Sequence, residues 1–307
     1  AMHPAISVIV FTVTSGAGFG AIALIGAGYP LSDNPLLFFF TAFAAGALAV
    51  VGLLSSTFHL GHPERAWRAL SQWRSSWLSR EGVASIAALT LFGIFVLARL
   101  FTDLPTRELG WGVSVLSLAT VFTTSMIYAQ LRTVPHWHSW LTPVVYLAFS
   151  LSSGFLLVAA AGKASQFGDF PVALIAMLVL LAAWAIKVAW WQRAAGASLA
   201  SRGMTTGSAT GLGGIGEVRL FERPHTGGNY LTREMVHRIG RKHAAKLRLI
   251  ALAVGAALPM LIAAATYWWG IANPVLALAF VSMLAGLFAE RWLFFAEARH
   301  SVSLYYE

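Results

Sequence analysis

Residues 36–58 read LLFFFTAFAAGALAVVGLLSSTF, an apolar run without a charged residue, and this run decides the fold class. A bilayer core of about 30 Å is crossed by roughly 20 apolar residues in a helix, which is the length seen here. In the whole protein, 58% of the 307 residues are hydrophobic, 11% are charged and the mean hydropathy is +0.70. Soluble domains carry about a quarter charged residues. We therefore predict an integral membrane protein.

Seven further stretches share this length and apolarity, which predicts an all-α polytopic bundle of eight transmembrane helices. The first run lacks a basic region before it, so we interpret it as a retained span and not as a signal peptide. An even number of spans places both termini on the same side. We treat residues 1–307 as a single polytopic domain. The predicted spans are 6–28, 36–58, 82–101, 110–130, 141–162, 171–191, 249–269 and 274–295.

Cationic residues are concentrated on one face of the predicted bundle, which we name the basic face. All but four of the 21 lysines and arginines fall in the turns after spans 2, 4 and 6 or near the C-terminus. The positive-inside rule predicts that this face and both termini are cytoplasmic, in an inner (cytoplasmic) membrane. The long basic loop 195–246, between helices 6 and 7, is interpreted as a membrane-surface segment, a docking surface for a partner, or both.

The turn after span 2, TFHLGHPERAW at 57–67, brings two histidines, a glutamate and an arginine close together in the sequence. His59 ends the apolar run, and Gly61 and Pro63 then stop the helix. This order predicts an imidazole near headgroup depth, where it can exchange protons near neutral pH. Quinones live at that depth, and their chemistry moves two electrons with two protons. Such a site needs a proton-exchanging group, a cation such as Arg65, and a route to water. The alternative is a hydrogen-bonded interfacial histidine without a ligand.

Glu81, at the predicted mouth of span 3, has two interpretations. In the structural one, Ser79 caps the helix and the acid favours the helix dipole in the first turn. In the functional one, an acid at a membrane helix mouth relays protons. The residues themselves leave both interpretations open.

The composition also excludes several sites. The protein has no cysteine, which rules out disulfides, thiolate zinc sites, iron–sulfur clusters and covalently attached haem within it. No histidine lies deep inside a predicted span, so we expect neither haem nor a metal site. Among the few charges within spans, we expect Lys187 to extend to the headgroups with Trp190 and Trp191, and Glu290 and Arg291 to pair.

Three stretches resemble a known family: MHPAISVIVFT at 2–12, STFHLGHPERAWRALSQWRSSWLSREG at 56–82 and HTGGNYLTREMVHRIGRKHAAKLR at 225–248. They are similar to membrane anchor subunits of the DMSO reductase type (DmsC-like), which include the membrane subunit of the cytoplasmic sulfite-oxidising enzyme. The resemblance implies an eight-helix, haem-free anchor that passes electrons between quinone and an iron–sulfur subunit. Its partners would be a [4Fe–4S] subunit and a catalytic subunit with molybdenum bis-molybdopterin guanine dinucleotide.

The resemblance also implies site residues. The family's quinone-site positions fall on His59, Gly61, Arg65 and Glu81, with His59 and Glu81 as the catalytic groups that handle protons. Partner docking is predicted on cationic residues of the basic face: Arg68, Arg74, Arg233, Arg238, Arg241 and Lys242.

The leading hypothesis is a quinone-reactive anchor that does no molybdenum chemistry itself and reduces ubiquinone or menaquinone with electrons from sulfite oxidation. The predicted cytoplasmic position of the basic face favours this direction. The first alternative is a quinol-oxidising anchor of a DMSO reductase. A purely structural anchor or a transporter is the second alternative, although the sequence shows no convincing internal repeat.

Overall fold

The computed structural model describes residues 6–29, 34–59, 62–162, 166–167, 170–219, 221–222 and 243–305. Within them, eight helices are long and apolar enough to cross a membrane, which confirms the predicted all-α membrane fold. A two-residue antiparallel pair, β1 (Gln166–Phe167) and β2 (Phe170–Pro171), lies between the fifth and sixth helices. The helices are α1 Ile6–Gly26, α2 Pro35–Ser55, α3 Trp77–Phe101, α4 Arg107–Ala129, α5 Leu141–Ala161, α6 Val172–Ala195, α7 Ala244–Trp269 and α8 Asn273–Ala296.

The helix α1 lies in the middle of the bundle and is the most buried span, with 78% of its apolar window inside. Gly20 of α1 faces Gly154 and Ser150 of α5 so closely that a Cβ on either glycine would overlap the opposite backbone. Ser150 Oγ also donates to the Gly16 carbonyl at 2.5 Å. Small residues at a crossing let membrane helices pack backbone to backbone, and this crossing fixes α1 against α5.

A second packing centre joins α6, α7 and α8. Gly255 of α7 lies against Gly286 of α8, again without room for a Cβ. Trp184 of α6 donates from Nε1 to the Gly255 carbonyl at 2.9 Å. Gly255 belongs to a π-helical turn, Ala253–Ala257, which departs from the regular hydrogen-bond pattern of an α-helix. The close approach brings the charged side chains of α6 and α8 within reach of each other.

The connections after α2, α4 and α6 and the segment after α8 lie at one end of the bundle. Ser55 Oγ, at the end of α2, donates to the Ser7 carbonyl at the start of α1 at 3.1 Å. The backbone N–H of Ser301 donates to the Thr133 carbonyl at 2.9 Å. Arg193 of α6 donates to carbonyls in the α4–α5 connection. The basic face is therefore one end of the bundle, while its side of the membrane stays a prediction.

Candidate functional site

The start of α3 differs from the prediction in a way that matters for Glu81. The helix begins at Trp77, and Ser76 is its N-cap residue, with Oγ accepting from the backbone N–H of Ser79 at 3.5 Å. The predicted capping by Ser79 is therefore wrong. Glu81 lies in the second helical turn and not in the first. Because the dipole effect fades beyond the first turn, it no longer accounts for an acid at this position.

Glu81 is buried in the bundle, with 4% of its surface exposed. Its Oε1 accepts a hydrogen bond of 3.2 Å from Thr124 Oγ1 of α4. This described partner is a neutral hydroxyl, in contrast to the cations that accompany most buried acids. Ionisable groups inside membrane helices are costly, and they mark proton relays or ligand pathways. Among the residues whose side chains the structure describes, Glu81 is therefore the strongest single candidate for proton exchange.

Thr124 can satisfy Glu81 in both of its protonation states. Its Oγ1 also lies 2.9 Å from the Thr120 carbonyl oxygen. A hydroxyl group has one proton and two lone pairs. Thr124 can donate to an ionised Glu81, or it can donate to Thr120 and accept from a protonated Glu81. The hydrogen bond between Glu81 and the Thr124 hydroxyl can thus persist when the carboxyl group gains or loses a proton, which avoids the cost of a lost buried hydrogen bond.

The turn between α2 and α3 folds back over the start of α3. It contains the 3₁₀ segment Pro63–Gln72, in which Leu70 lies against Gly82 of α3. Arg80 of α3 donates from Nε to the Trp73 carbonyl at 3.0 Å. These contacts hold the turn against the part of α3 that carries Glu81.

The structure describes only part of the four-residue site predicted from the sequence. His59 ends a 3₁₀ turn, but its side chain lies outside the described residues, and so does Gly61. The Arg65 side chain is 59% exposed, and its Nε lies 3.7 Å from Glu64 Oε1. The described contacts therefore leave Arg65 at the surface with Glu64, while Glu81 is buried with Thr124. A joint site of all four residues stays a prediction.

Two of the predicted docking residues lie on an exposed surface of the same turn. Arg68 and Arg74 are exposed beside Trp67 and Trp73, which are 68% and 53% exposed. Each guanidinium lies over the neighbouring indole, at 5.5 Å and 5.4 Å from the ring centroid. Tryptophan and arginine are frequent anchors of protein interfaces, so this surface suits docking. The remaining four predicted docking residues lie outside the described residues: Arg233, Arg238, Arg241 and Lys242.

A second buried charged site lies between α6 and α8, and the sequence predicted only part of it. Lys187 and Glu290 form an ion pair and are both fully buried. Arg291 Nη1 lies 3.3 Å from Glu290 Oε2, which confirms the predicted Glu290–Arg291 pair. The expectation that Lys187 reaches the headgroups is wrong, because Glu290 holds it inside. One feature of the sequence was consistent with the Lys187–Glu290 pair: the two residues lie at similar distances from the basic ends of their helices.

Aromatic rings surround the two cations of this site. Lys187 Nζ lies 3.7 Å from the centroid of the Trp190 ring, and Arg291 Cζ lies 3.8 Å from that of Tyr146. Two cations and one carboxylate leave an excess positive charge, which the faces of these rings offset in part. Tyr146 in turn stacks on Tyr128 of α4, with the ring centroids 6.0 Å apart. The cluster therefore ties α4, α5, α6 and α8 together.

Metal ligands do not cluster in the part of the protein that the structure describes. No group of three or more histidine, aspartate or glutamate side chains there could hold a metal ion. The expected absence of a metal site and of haem remains a prediction.

Comparison with known proteins decides which family this fold belongs to. A family model described as the DMSO reductase anchor subunit (DmsC) matches residues 2–296. The chain belongs to the DmsC family. It is thus a multi-pass membrane anchor subunit of an oxidoreductase complex of this type, as the resemblance implied. The DmsC family anchors molybdopterin oxidoreductases, so catalytic and iron–sulfur partner subunits are implied.

Three relatives of this protein differ in how much of it they match. A sulfite dehydrogenase subunit of Allochromatium vinosum is 34% identical, over 100% of this protein and 99% of the relative. The anaerobic dimethyl sulfoxide reductase chain YnfH of Escherichia coli is 30% identical over 57% of this protein and 64% of the relative. Another anaerobic dimethyl sulfoxide reductase chain of Escherichia coli is 30% identical over 39% of this protein and 44% of the relative. No solved structure matches this sequence significantly.

Proposed function

We propose that this anchor subunit is quinone-reactive and passes electrons between an iron–sulfur partner subunit and the membrane quinone pool. The observation that carries the proposal is Glu81, which is buried in a membrane helix and hydrogen-bonded to the neutral hydroxyl of Thr124. Reduction of a quinone to a quinol takes up two electrons and two protons. A buried group that is satisfied in both protonation states can deliver a proton where bulk water is scarce.

The other residues of the predicted site receive roles by their chemistry. His59 is the second proton-exchanging group, and Arg65 holds a quinone oxygen or pairs with a carboxylate. Gly61 lets the backbone approach the ring closely. Because Arg65 is exposed and paired with Glu64, its role requires that it turn from Glu64 to the ligand.

The proposed partners dock on the basic face. Arg68 and Arg74 contribute there through the exposed tryptophan and arginine surface of the α2–α3 turn. The basic loop 195–246 belongs to the same polytopic domain and adds Arg233, Arg238, Arg241 and Lys242. The partners are an iron–sulfur subunit and a molybdopterin catalytic subunit, so molybdenum chemistry takes place outside this protein, which itself holds no haem. By the positive-inside rule we place this face and both termini in the cytoplasm.

The proposed direction is quinone reduction coupled to sulfite oxidation. Two observations support it: a relative that matches the whole protein is a sulfite dehydrogenase subunit, and the basic face suits a cytoplasmic partner. Quinol oxidation in a DMSO reductase is the alternative, supported by relatives that match 57% and 39% of the protein.

The test uses the intact complex in native membranes. Electron transfer is measured from sulfite to a quinone analogue, and from a quinol to DMSO, in wild type, Glu81→Gln and His59→Ala. We expect sulfite-driven quinone reduction to fall about a hundredfold in Glu81→Gln, because positioned proton transfer contributes roughly 10²–10⁴. Sulfite oxidation with a water-soluble electron acceptor that bypasses the quinone should continue at the wild-type rate.

Glu108→Gln is the matched control, because Glu108 lies in the first turn of α4 at the end opposite the basic face. It should leave both assays unchanged. Wild-type quinone turnover in both Glu81→Gln and His59→Ala would show a passive anchor. If electrons pass only from quinol to DMSO, the proposed coupling to sulfite oxidation is wrong and the protein is the anchor of a DMSO reductase.

A further inference from the structure

A pocket of about 730 Å³ opens between the basic ends of α4, α5 and α6. Its floor is apolar and comes from the membrane helices, with Met126 of α4 and Val144 and Leu147 of α5 among the lining residues. Its rim contains Arg193 and Arg202. Glu81, Thr124 and Arg65 do not line this pocket, so it is separate from the described part of the site above.

The rim of the pocket is positively charged. The Arg193 guanidinium donates to the carbonyls of His136, Pro135 and His138 at 2.9, 3.1 and 2.7 Å, and it braces the α4–α5 connection. Arg202, in the short helix after α6, is exposed and faces the same pocket. None of the described residues that line the pocket is acidic. Two cations without a lining carboxylate favour an anionic ligand.

The position of the pocket restricts the class of anion. Trp140 lines it and is 74% exposed, at the junction of the α4–α5 connection and α5. Tryptophan is enriched at the membrane–water interface. The cationic rim therefore lies at headgroup depth and the apolar floor at acyl-chain depth. Basic pockets between transmembrane helices are known to bind acidic lipid headgroups.

We propose that this pocket is a binding site for one anionic phospholipid, for example phosphatidylglycerol. Arg202 binds the phosphate together with the outer edge of Arg193, and an acyl chain lies on the floor formed by α4 and α5. The lipid thereby joins the helix that carries Thr124 to the start of the basic loop. The proposal does not depend on quinone reactivity.

The test is native mass spectrometry of the purified full-length protein, offered phosphatidylglycerol and phosphatidylcholine in equal amounts. We expect preferential retention of one phosphatidylglycerol. Arg202→Gln, a change of an exposed side chain, should weaken it about fivefold, the usual effect of one basic residue near anionic lipid. Arg219→Gln is the control, because Arg219 is 80% exposed in the same loop and pairs with Glu217. It should retain the lipid as wild type does.

A floor variant and competition measurements distinguish a lipid site from surface adsorption and from a quinone pocket. Val144→Trp fills the floor and keeps both arginines, so it should also lose the lipid. Inorganic phosphate at the lipid concentration should not displace it, because phosphate has no acyl chain for the floor. Equal retention of the two lipids, or an equal loss in Arg202→Gln and Arg219→Gln, would show surface adsorption and overturn the proposal. Displacement of the lipid by a quinone analogue would overturn it in favour of a quinone pocket.

Discussion

Two buried glutamates of this bundle have the same side chain and different surroundings. Glu290 lies between Lys187 and Arg291, and its contacts connect α6 to α8. Glu81 lies beside Thr124, a hydroxyl that can donate or accept. The first arrangement suits a fixed structural charge, because removing the carboxylate leaves two buried cations without their anion. The second suits a group that exchanges protons. Burial alone thus does not separate structure from function, and the chemistry of the partner does.

The largest expected effect comes from breaking the Glu290 cluster. Glu290→Gln should lower the free energy of unfolding by about 3–5 kcal/mol, since breaking a buried ion pair leaves an uncompensated charge. Thermal unfolding of the purified protein in detergent measures this loss. The control is Glu297→Gln, where Glu297 pairs with Arg248 at 2.7 Å and the arginine side chain is 42% exposed. A partly exposed pair contributes about 1 kcal/mol or less. Equal stability of the two variants would contradict a structural role for Glu290.

An intermediate effect is expected at the partner of Glu81. Thr124→Val removes the hydroxyl and keeps the shape, so quinone-linked turnover should fall about tenfold, corresponding to a loss of about 1.4 kcal/mol. Thr123→Val is the matched control on the same helix, because the described hydrogen bond of the Thr123 hydroxyl goes to the Thr120 carbonyl, at 2.8 Å, and not to Glu81. Turnover of the complex in membranes is measured for both. If Thr123→Val slows turnover as much as Thr124→Val, the Glu81–Thr124 hydrogen bond has no specific role in quinone-linked turnover.

The smallest expected effect is the change in stability of the Glu81→Gln variant, which is compared with that of Glu290→Gln. Glu81→Gln should change the free energy of unfolding by about 1 kcal/mol or less, because the amide can still accept from Thr124. The midpoint of thermal unfolding, measured in the same detergent as for Glu290→Gln, reports this difference. A loss as large as that of Glu290→Gln would mean that Glu81 is also a structural charge and that lower turnover reflects damage to the fold.

Most of the architecture could be predicted because span length and apolarity are local properties of the sequence. All eight predicted spans became helices, with differences only at their ends. The start of α3 is the instructive difference, since four of the six residues from Ser76 to Glu81 are polar or charged and the stretch does not look like membrane helix. The helix begins there because Ser76 caps it and Arg80 fastens the turn to it. This places Glu81 in the second turn of the helix, whereas the sequence predicted it at the mouth, in the first turn.

The candidate site could be predicted only in part. Glu81 stood out because an acid next to an apolar run is rare in membrane proteins. Its partner did not, since the hydrogen bond joins residues 43 positions apart in the sequence. Lys187 was expected at the headgroups because long cationic side chains usually extend there. Instead, Lys187 stays buried because it pairs with Glu290 on another helix.

The sequence by itself determined the membrane class, the number of spans and the face that collects the cations, and it pointed to the candidate residues for proton exchange. These properties follow from composition and from the fixed rise of a helix across a bilayer of fixed thickness. Only the tertiary structure decided which buried charges meet which partners. Glu290 meets Lys187 because Gly255 and Gly286 bring α7 and α8 together beside α6. Glu81 meets a hydroxyl because α3 packs on the face of α4 that carries Thr124. Helix packing sets these pairings, and no local pattern in the sequence records it.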